Sequence, residues 1–455
     1  MAKYQKYAEY KDSGVEWLGE IPRHWDLKPI KYLFGIINGS TPKSGEEAFW
    51  DGEITWITPS DLSKLRSHVI GESIRTITKK GLDSCGTSLV PSDTIILSCR
   101  APIGSLAVTS KEACTNQGCK SLVKKYDLST KFFYYYLSIS TKQLNNLGRG
   151  TTFLELSSDE LGSYALGIPN AEEQTQIANF LDHETAKIDT LIAKQEKLME
   201  LLKEKRQAVI SHAVTKGLNP DVNMKDSGVE WLGQVPEHWT VSKLKHFVNV
   251  VDCKHITAEF FDEGIPLASI GEVKGWKVNL SNAKLTNEKY YQELIDGNRK
   301  PQVGDIIYTR NATVGEASLV HTELPKFALG QDVCLIHIIQ KLSSEYLLHF
   351  LKSEIIKIQL NSAMVGSTFK RINVDDIRNY VIVIPPIEEQ ECILKDLDQK
   401  IEKYDSLINF AVKQIQLMQE RRTALISSAV TGKIDVRNWQ HPNYNNNEAN
   451  TELGA

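Results

Sequence analysis

The chain has 455 residues, 41% of them hydrophobic and 24% charged, which suits a globular protein of roughly two to four domains rather than one core. No run approaches the roughly 20 apolar residues of a membrane span, and the N-terminus MAKYQKYAEYKDSG lacks a signal-peptide core, so a cytoplasmic location without membrane contact is expected. A net charge of −4 gives no global basic signal for nucleic acid, and seven irregularly spaced cysteines form neither a disulfide framework nor a zinc set, so no metal is expected.

Residues 1–25 end in an opener, KDSGVEWLGEIPRHW (Lys11 to Trp25), that recurs as KDSGVEWLGQVPEHW (Lys225 to Trp239) with twelve of fifteen positions identical at an offset of 214. Its apolar side chains lie in a short, proline-broken run, which predicts a segment docked onto another element. Residues 26–165 follow as an α+β domain. Ile54 to Thr58, Thr94 to Cys99 and Ser105 to Thr109 read as strands, and Lys131 to Leu147 as one helix.

Residues 166–217 change character. Glu172 to Val214 has a helical pattern with an apolar seam at Ile177, Leu181, Ile188, Leu191, Leu198, Leu202 and Val209, bounded by Pro169 and Gly217; such a seam predicts a partner helix. A linker and the second opener occupy 218–239. The plan then repeats, with an α+β domain at 240–380 and a helical region at 381–435. The second helix, predicted over residues 388–430, has its seam at Ile393, Leu397, Tyr404, Leu407, Ala411, Met418 and Leu425. EKRQAVISHAVT (Glu204 to Thr215) returns as ERRTALISSAVT (Glu420 to Thr431) at an offset of 216. In an antiparallel pair Glu184 would come opposite Arg421. Residues 436–455 are polar and Asn-rich, and a disordered tail is expected there.

The chain is therefore an internal repeat of about 200 residues per copy. The helices and openers stay alike while the two α+β domains diverge, which points to constant scaffolds carrying different readers. Between the domains only a skeleton aligns, including Ser92 to Gly104 with Gly304 to Gly315, Gln117 with Gln331, and Gly150 to Phe153 with Gly366 to Phe369.

The repeated opener, NGSTP (Asn38 to Pro42) followed by ITWITPSDL (Ile54 to Leu62), and IP-x-x-EEQ before each long helix (Ile168 to Gln174, Ile384 to Gln390) resemble the specificity subunits of type I restriction–modification systems over nearly the whole chain. The resemblance implies two α/β target-recognition domains joined by two long antiparallel coiled-coil helices with pseudo-two-fold symmetry. Each domain would read one half of a bipartite, asymmetric double-stranded DNA site. The helices would set the half-site spacing and dock two modification subunits that methylate adenine, and through them restriction subunits that translocate DNA. This chain would hold no cofactor; S-adenosylmethionine, ATP and Mg would belong to the partners.

Base readout needs paired donors and acceptors, and register needs phosphate contacts. In the first domain the loop after the ITWIT strand, with Thr58, Ser60, Asp61 and Lys64, is the main base-reading candidate, and Ser269, Glu272 and Lys274 stand in its place in the second. The alternative for these is a turn cap. Ser40, Thr41 and Lys43, with Lys254, His255 and Thr257, precede the strand and read as DNA contacts or a solvated loop. Arg149, Thr151 and Thr152, and Ser367, Thr368, Lys370 and Arg371, combine hydroxyls and cations beside glycine, suited to phosphate or to a charged turn. Arg100 and Arg310 close strand-like runs and face a groove or form structural ion pairs. The aromatic run Phe132 to Tyr136 reads as core before base-stacking platform.

Catalytic patterns are weak. Asp262 with Glu272 and Lys274 mimics a metal-dependent nuclease in one copy only, and neither a phosphate loop nor a dinucleotide-type glycine loop is present. A non-catalytic DNA reader is expected, against a coiled-coil scaffold that never touches DNA and a duplicated nuclease. The first domain has 16 Lys and Arg against 14 Asp and Glu, the second 17 against 16, so much of the phosphate binding is expected from partner subunits.

Overall fold

Proline before and glycine after set the ends of both long helices. Asn170, after Pro169, accepts the Glu173 N–H on its side chain at 2.9 Å and starts the first helix, Ala171–Lys216, of 46 residues. Pro385 and Pro386 precede the second, Ile387–Val430, of 44 residues. Gly217 and Gly432 lie in the left-handed region at φ 76° and 71°, the conformation that ends a helix without a Cβ penalty. A computed structural model describes residues 4–65, 67–100, 102–148, 154–364 and 371–442.

The chain forms two compact units that divide both long helices. The first comprises residues 1–195 and 414–455, the second residues 196–413. Each contains one opener, one α+β head and parts of both long helices, so the units are not successive in sequence.

In the first unit the opener is a hairpin of Tyr10–Asp12 with Glu20–Pro22. The head has a five-stranded sheet in the order Phe34–Asn38, Cys119–Lys124, Ile95–Ser98, Leu106–Thr109, Val69–Ile70, and a three-stranded sheet of Cys114–Thr115, Trp50–Ile57 and Thr76–Ile77. The second unit repeats this with Met224–Asp226 against Gln234–Pro236. Its sheets are Val248–Asp252, Val333–Ile338, Ile306–Thr309, Ala317–Leu319 and Leu285–Thr286, Ile265–Ala268, Ala328–Leu329.

The repeated motifs clasp each unit together. Glu173 accepts from Tyr7 Oη at 2.6 Å and Trp25 Nε1 at 3.0 Å and lies 2.8 Å from His24 Nε2. Glu389 receives Trp239 Nε1 at 2.9 Å and lies 2.8 Å from His238 Nε2. The next residue does a second job. Gln174 accepts the Ser129 N–H at 3.2 Å and Gln390 the Ser343 N–H at 2.8 Å, each at the cap of a buried head helix. The HW of the opener and the EEQ of the helix start are thus two halves of one contact, which accounts for their joint repetition. The opener docks as its apolar run predicts: Trp25 and Trp239 are at most 1% exposed.

The end of each helix seats on an opener within the same unit. Lys216 Nζ donates to the carbonyls of Leu232 and Gln234, and Lys433 Nζ donates to those of Leu18 and Glu20. In the first unit Ile177, Phe180 and Leu181 share a core with Ile426, Ala429 and Val430; in the second Ile210, Ala213 and Val214 share one with Ile393, Leu397 and Ile401. Each core joins the start of one helix to the end of the other. An Asp–Arg pair adds to each: Asp189 with Arg422 at 2.8 Å, and Asp405 with Arg206 at 2.7 Å. Both members are related by the offset of 216. Glu184 and Arg421 line one cavity of about 500 Å³ beside Tyr4.

Three expectations change. Leu191, Leu198 and Leu407, placed in the seams, are 54%, 45% and 42% exposed; the described partners cover the helix ends, where Ile177, Leu181, Ile393 and Leu397 are fully buried, and Ile188 nearly so. Leu202, Val209, Tyr404, Met418 and Leu425 are half-buried. The helix read over residues 131–147 is two, Thr130–Ser138 and Thr141–Leu147, because buried Ser140 turns its hydroxyl back to the Tyr136 carbonyl at 2.9 Å. Of the tail, Val436 is buried and Trp439 meets Phe180 edge-on at 5.6 Å, with exposed residues around them. Residues 443–455 lie outside the described residues. Phe132, Phe133 and Tyr136 are core, at 0% exposure.

Candidate nucleic-acid interface

In each head, turns that follow three strands are hydrogen-bonded into one cluster. In the first head Ser40 N–H donates to the Thr115 carbonyl at 2.9 Å, Asn116 N–H to that of Ile57 at 3.0 Å, and Trp56 Nε1 to that of Ser40 at 3.0 Å. Thr41 Oγ1 donates to the Gln117 side chain. In the second, Gly330 N–H donates to the Ala268 carbonyl at 2.8 Å, Cys253 N–H to that of Val333 at 3.3 Å, and Arg310 N–H to that of Asp332 at 2.9 Å.

The loop after each central strand opens a short helix through a capping box. Asp61 Oδ2 accepts the Thr58 N–H at 2.8 Å, and its other oxygen accepts the Ile74 N–H at 2.7 Å. Glu272 Oε2 accepts the Ser269 N–H at 2.9 Å. The carboxylates named as base readers thus turn back onto the backbone, the capping alternative. Asp61 is 8% exposed, so neither of its oxygens projects for a cytosine amino group. The same caps leave Ser60, Lys64 and Lys274 exposed, on short, fixed elements.

The remaining candidates separate in the same way. Arg310 is 4% exposed and donates to Asp252 Oδ2 at 2.6 Å, the structural ion pair rather than a groove contact. Arg100 pairs with Glu155 at 3.1 Å with both side chains nearly half exposed. Lys43 is exposed, and its carbonyl receives Trp50 Nε1 at 3.3 Å. Lys254 reaches Asp296 at 3.1 Å, His255 Nε2 lies 3.4 Å from Asp252, and Thr257 is exposed. Arg371 is exposed where its backbone bridges Asn311. Arg149, Thr151, Thr152, Ser367, Thr368 and Lys370 lie outside the described residues.

Sequence reading passed over two glutamines. Gln117 and Gln331 are both exposed, each two residues before the strand that crosses its head's sheet, Cys119–Lys124 or Val333–Ile338. Their only signal was identity between otherwise divergent heads. Gln presents a paired donor and acceptor of the kind that reads adenine.

Asp252, Cys253 and His255 place possible ligand atoms within 4.8 Å of one another. The guanidinium of Arg310 already holds the Asp252 carboxylate, so a cation there would face a buried like charge. Burial pushes the Cys114 thiol up to about 12 and that of Cys119 higher, against the thiolate that zinc or nucleophilic chemistry needs. No described helix is long and apolar enough to cross a membrane.

Comparison with known proteins points one way. A family profile described as the type I restriction modification DNA specificity domain matches residues 22–200 and 236–416. The chain is 27% identical over 446 residues to the type I restriction enzyme MjaIX specificity subunit of Methanocaldococcus jannaschii, covering 96% of this chain and 99% of that protein. It is 25% identical over 353 residues to the EcoBI specificity subunit of Escherichia coli, covering 73% and 72%. A solved structure titled for complex assembly and conformational transition of the type I R-M system shares the fold at a TM-score of 0.67 and 14% identity, covering 90% of this chain and 98% of that one.

Proposed function

The chain belongs to the family of type I restriction–modification DNA specificity subunits, and from that premise we propose that each head reads one half of a bipartite, asymmetric site on double-stranded DNA. The carrying observation is the duplication itself: the two units share a clasp, a helix pair and a capped loop, yet the sequences of their heads align only as a skeleton. Common scaffolds with unlike readers fit a two-part site whose halves differ. Ser60, Lys64 and Gln117 are the direct-contact candidates of the first head, Lys274 and Gln331 of the second, with Thr257, Lys43 and Arg371 as candidates for phosphate contact.

In this reading the chain contributes recognition, not catalysis. The helices hold the heads at a set spacing as an antiparallel pair and dock two modification subunits, which methylate adenine and carry the cofactors; restriction subunits join through them. Exposed leucines support two equivalent docking stripes. Leu191 and Leu407 are 54% and 42% exposed, and Leu201 and Leu417 are 49% and 47% exposed, each couple separated by the repeat offset of 216. Exposed apolar residues that line up into a continuous patch mark protein interfaces.

Base-resolution mapping of N6-methyladenine in cells co-expressing the chain with its modification subunit tests the proposal. A gapped, asymmetric methylated motif is expected. Co-purification of the two proteins without any motif would leave a scaffold that does not read DNA.

A further inference from the structure

Beyond each capped loop the two heads place an aromatic ring at the same backbone position. The His68 carbonyl accepts the Val108 N–H at 2.8 Å, and the Trp276 carbonyl accepts the Leu319 N–H at 2.9 Å, on equivalent strands. The rings then reach equivalent helices. His68 lies on Tyr134 with centroids 5.6 Å and planes 49° apart; Trp276 lies on His349 at 4.5 Å and 43°.

Behind the Trp276 ring stands the arginine of an Asp–Arg pair between the long helices. The Arg206 guanidinium is 5.6 Å from the Trp276 ring centre and pairs with Asp405. In the other unit the charge of Arg422, paired with Asp189, acts on the Tyr134 phenol. Lys352 Nζ lies 5.3 Å from the Trp276 ring centre, so cations from a long helix and from a head helix both meet that indole. Trp276 packs against the core of the second unit; both it and His68 stay half-buried, and what they share is a ring that joins the loop to a head helix.

We propose that His68 and Trp276 are positioning residues that fix each head's reading loop against the interhelical Asp–Arg pair, and so set the angle at which the loop meets its half-site. The proposal rests on the heads being DNA readers. In the second head the path runs from Asp405 through Arg206 to Trp276, two residues from Lys274. In the first, His68, four residues from Lys64, packs on Tyr134 of a head helix, while Asp189 and Arg422 form the corresponding pair. Stacking restrains direction while allowing chemically different rings, which suits heads that read different bases.

The test maps methylated sites made by the full complex carrying Trp276→Ala, Trp276→Phe or His68→Ala. Trp276→Ala should leave the first half-site intact, lower methylation of the wild-type motif at least tenfold, and relax bases of the second half-site or spread the gap by a base pair; Trp276→Phe should restore the wild-type pattern. A wild-type motif and gap, or a uniform loss of activity with unchanged bases and gap, would overturn the proposal. Should Trp276→Ala fail to assemble, His68→Ala carries the same test on the first half-site. A wild-type complex with no gapped motif would instead defeat the DNA-reading function itself.

Discussion

Glu173 shows how one buried residue carries a motif. Its side chain is 3% exposed and receives the Tyr7 hydroxyl, which burial and the nearby carboxylate hold protonated. Glu173→Ala would leave the Tyr7 and Trp25 donors buried without an acceptor, and is expected to cost the first unit about 2–4 kcal/mol, seen as an earlier melting transition for that unit alone. His349 gives a pH signature. Burial, with Arg206 and Lys352 nearby, pulls its pKa down to about 4. The folded chain keeps it neutral while the unfolded chain takes up a proton below about 6.5. Stability of the second unit should therefore fall by about 3 kcal/mol as pH drops from about 6.5 to about 4, and His349→Phe, which abandons no hydrogen bond of Nδ1, should flatten that slope in acid denaturation. His337 acts in another window: its hydrogen bond to Asp305 raises its pKa, so its contribution is complete below about 6.5 and fades as pH rises through the raised value. At this scale the sequence disclosed residue types but not commitments. Asp61, Glu272 and Arg310 look like readers until their partners are seen, because a carboxylate that caps a turn and one that faces a groove have the same local sequence.

At the scale of elements, periodicity and punctuation were enough to locate both long helices within a residue or two, since Pro, Asn and Gly act locally. The seams were legible only at the helix ends. Leu191 and Leu407 keep the heptad spacing but remain 54% and 42% exposed, and a pattern cannot say which molecule covers an apolar stripe. Break points such as Ser140 were also hidden, because they depend on a buried side-chain hydrogen bond rather than on Gly or Pro. The Asp–Arg pairs are partly exposed, 47% at Asp405 and 36% at Arg422, so each should contribute only about 0.5–1 kcal/mol. Asp405→Arg should lower the melting of the second unit and adding Arg206→Asp should recover most of it; a double variant no better than the single one would show that the residues do not interact.

For the whole molecule, the repeat was visible in the sequence and implied two equivalent units, but not that the first would be assembled from two separated stretches of chain with the second, residues 196–413, between them. If the helices set the spacing of the half-sites, four residues inserted in each, about 6 Å of rise, should lengthen the preferred gap by one or two base pairs in the methylated motif. An unchanged gap would remove the helices from that role. The most direct test of the central claim, that each head independently reads one half-site, is to exchange residues 26–165 for the corresponding head of a relative and map N6-methyladenine at base resolution. The expected motif has one half replaced and the other half kept; a motif unchanged by the exchange, or altered in both halves, would contradict independent reading by the two heads.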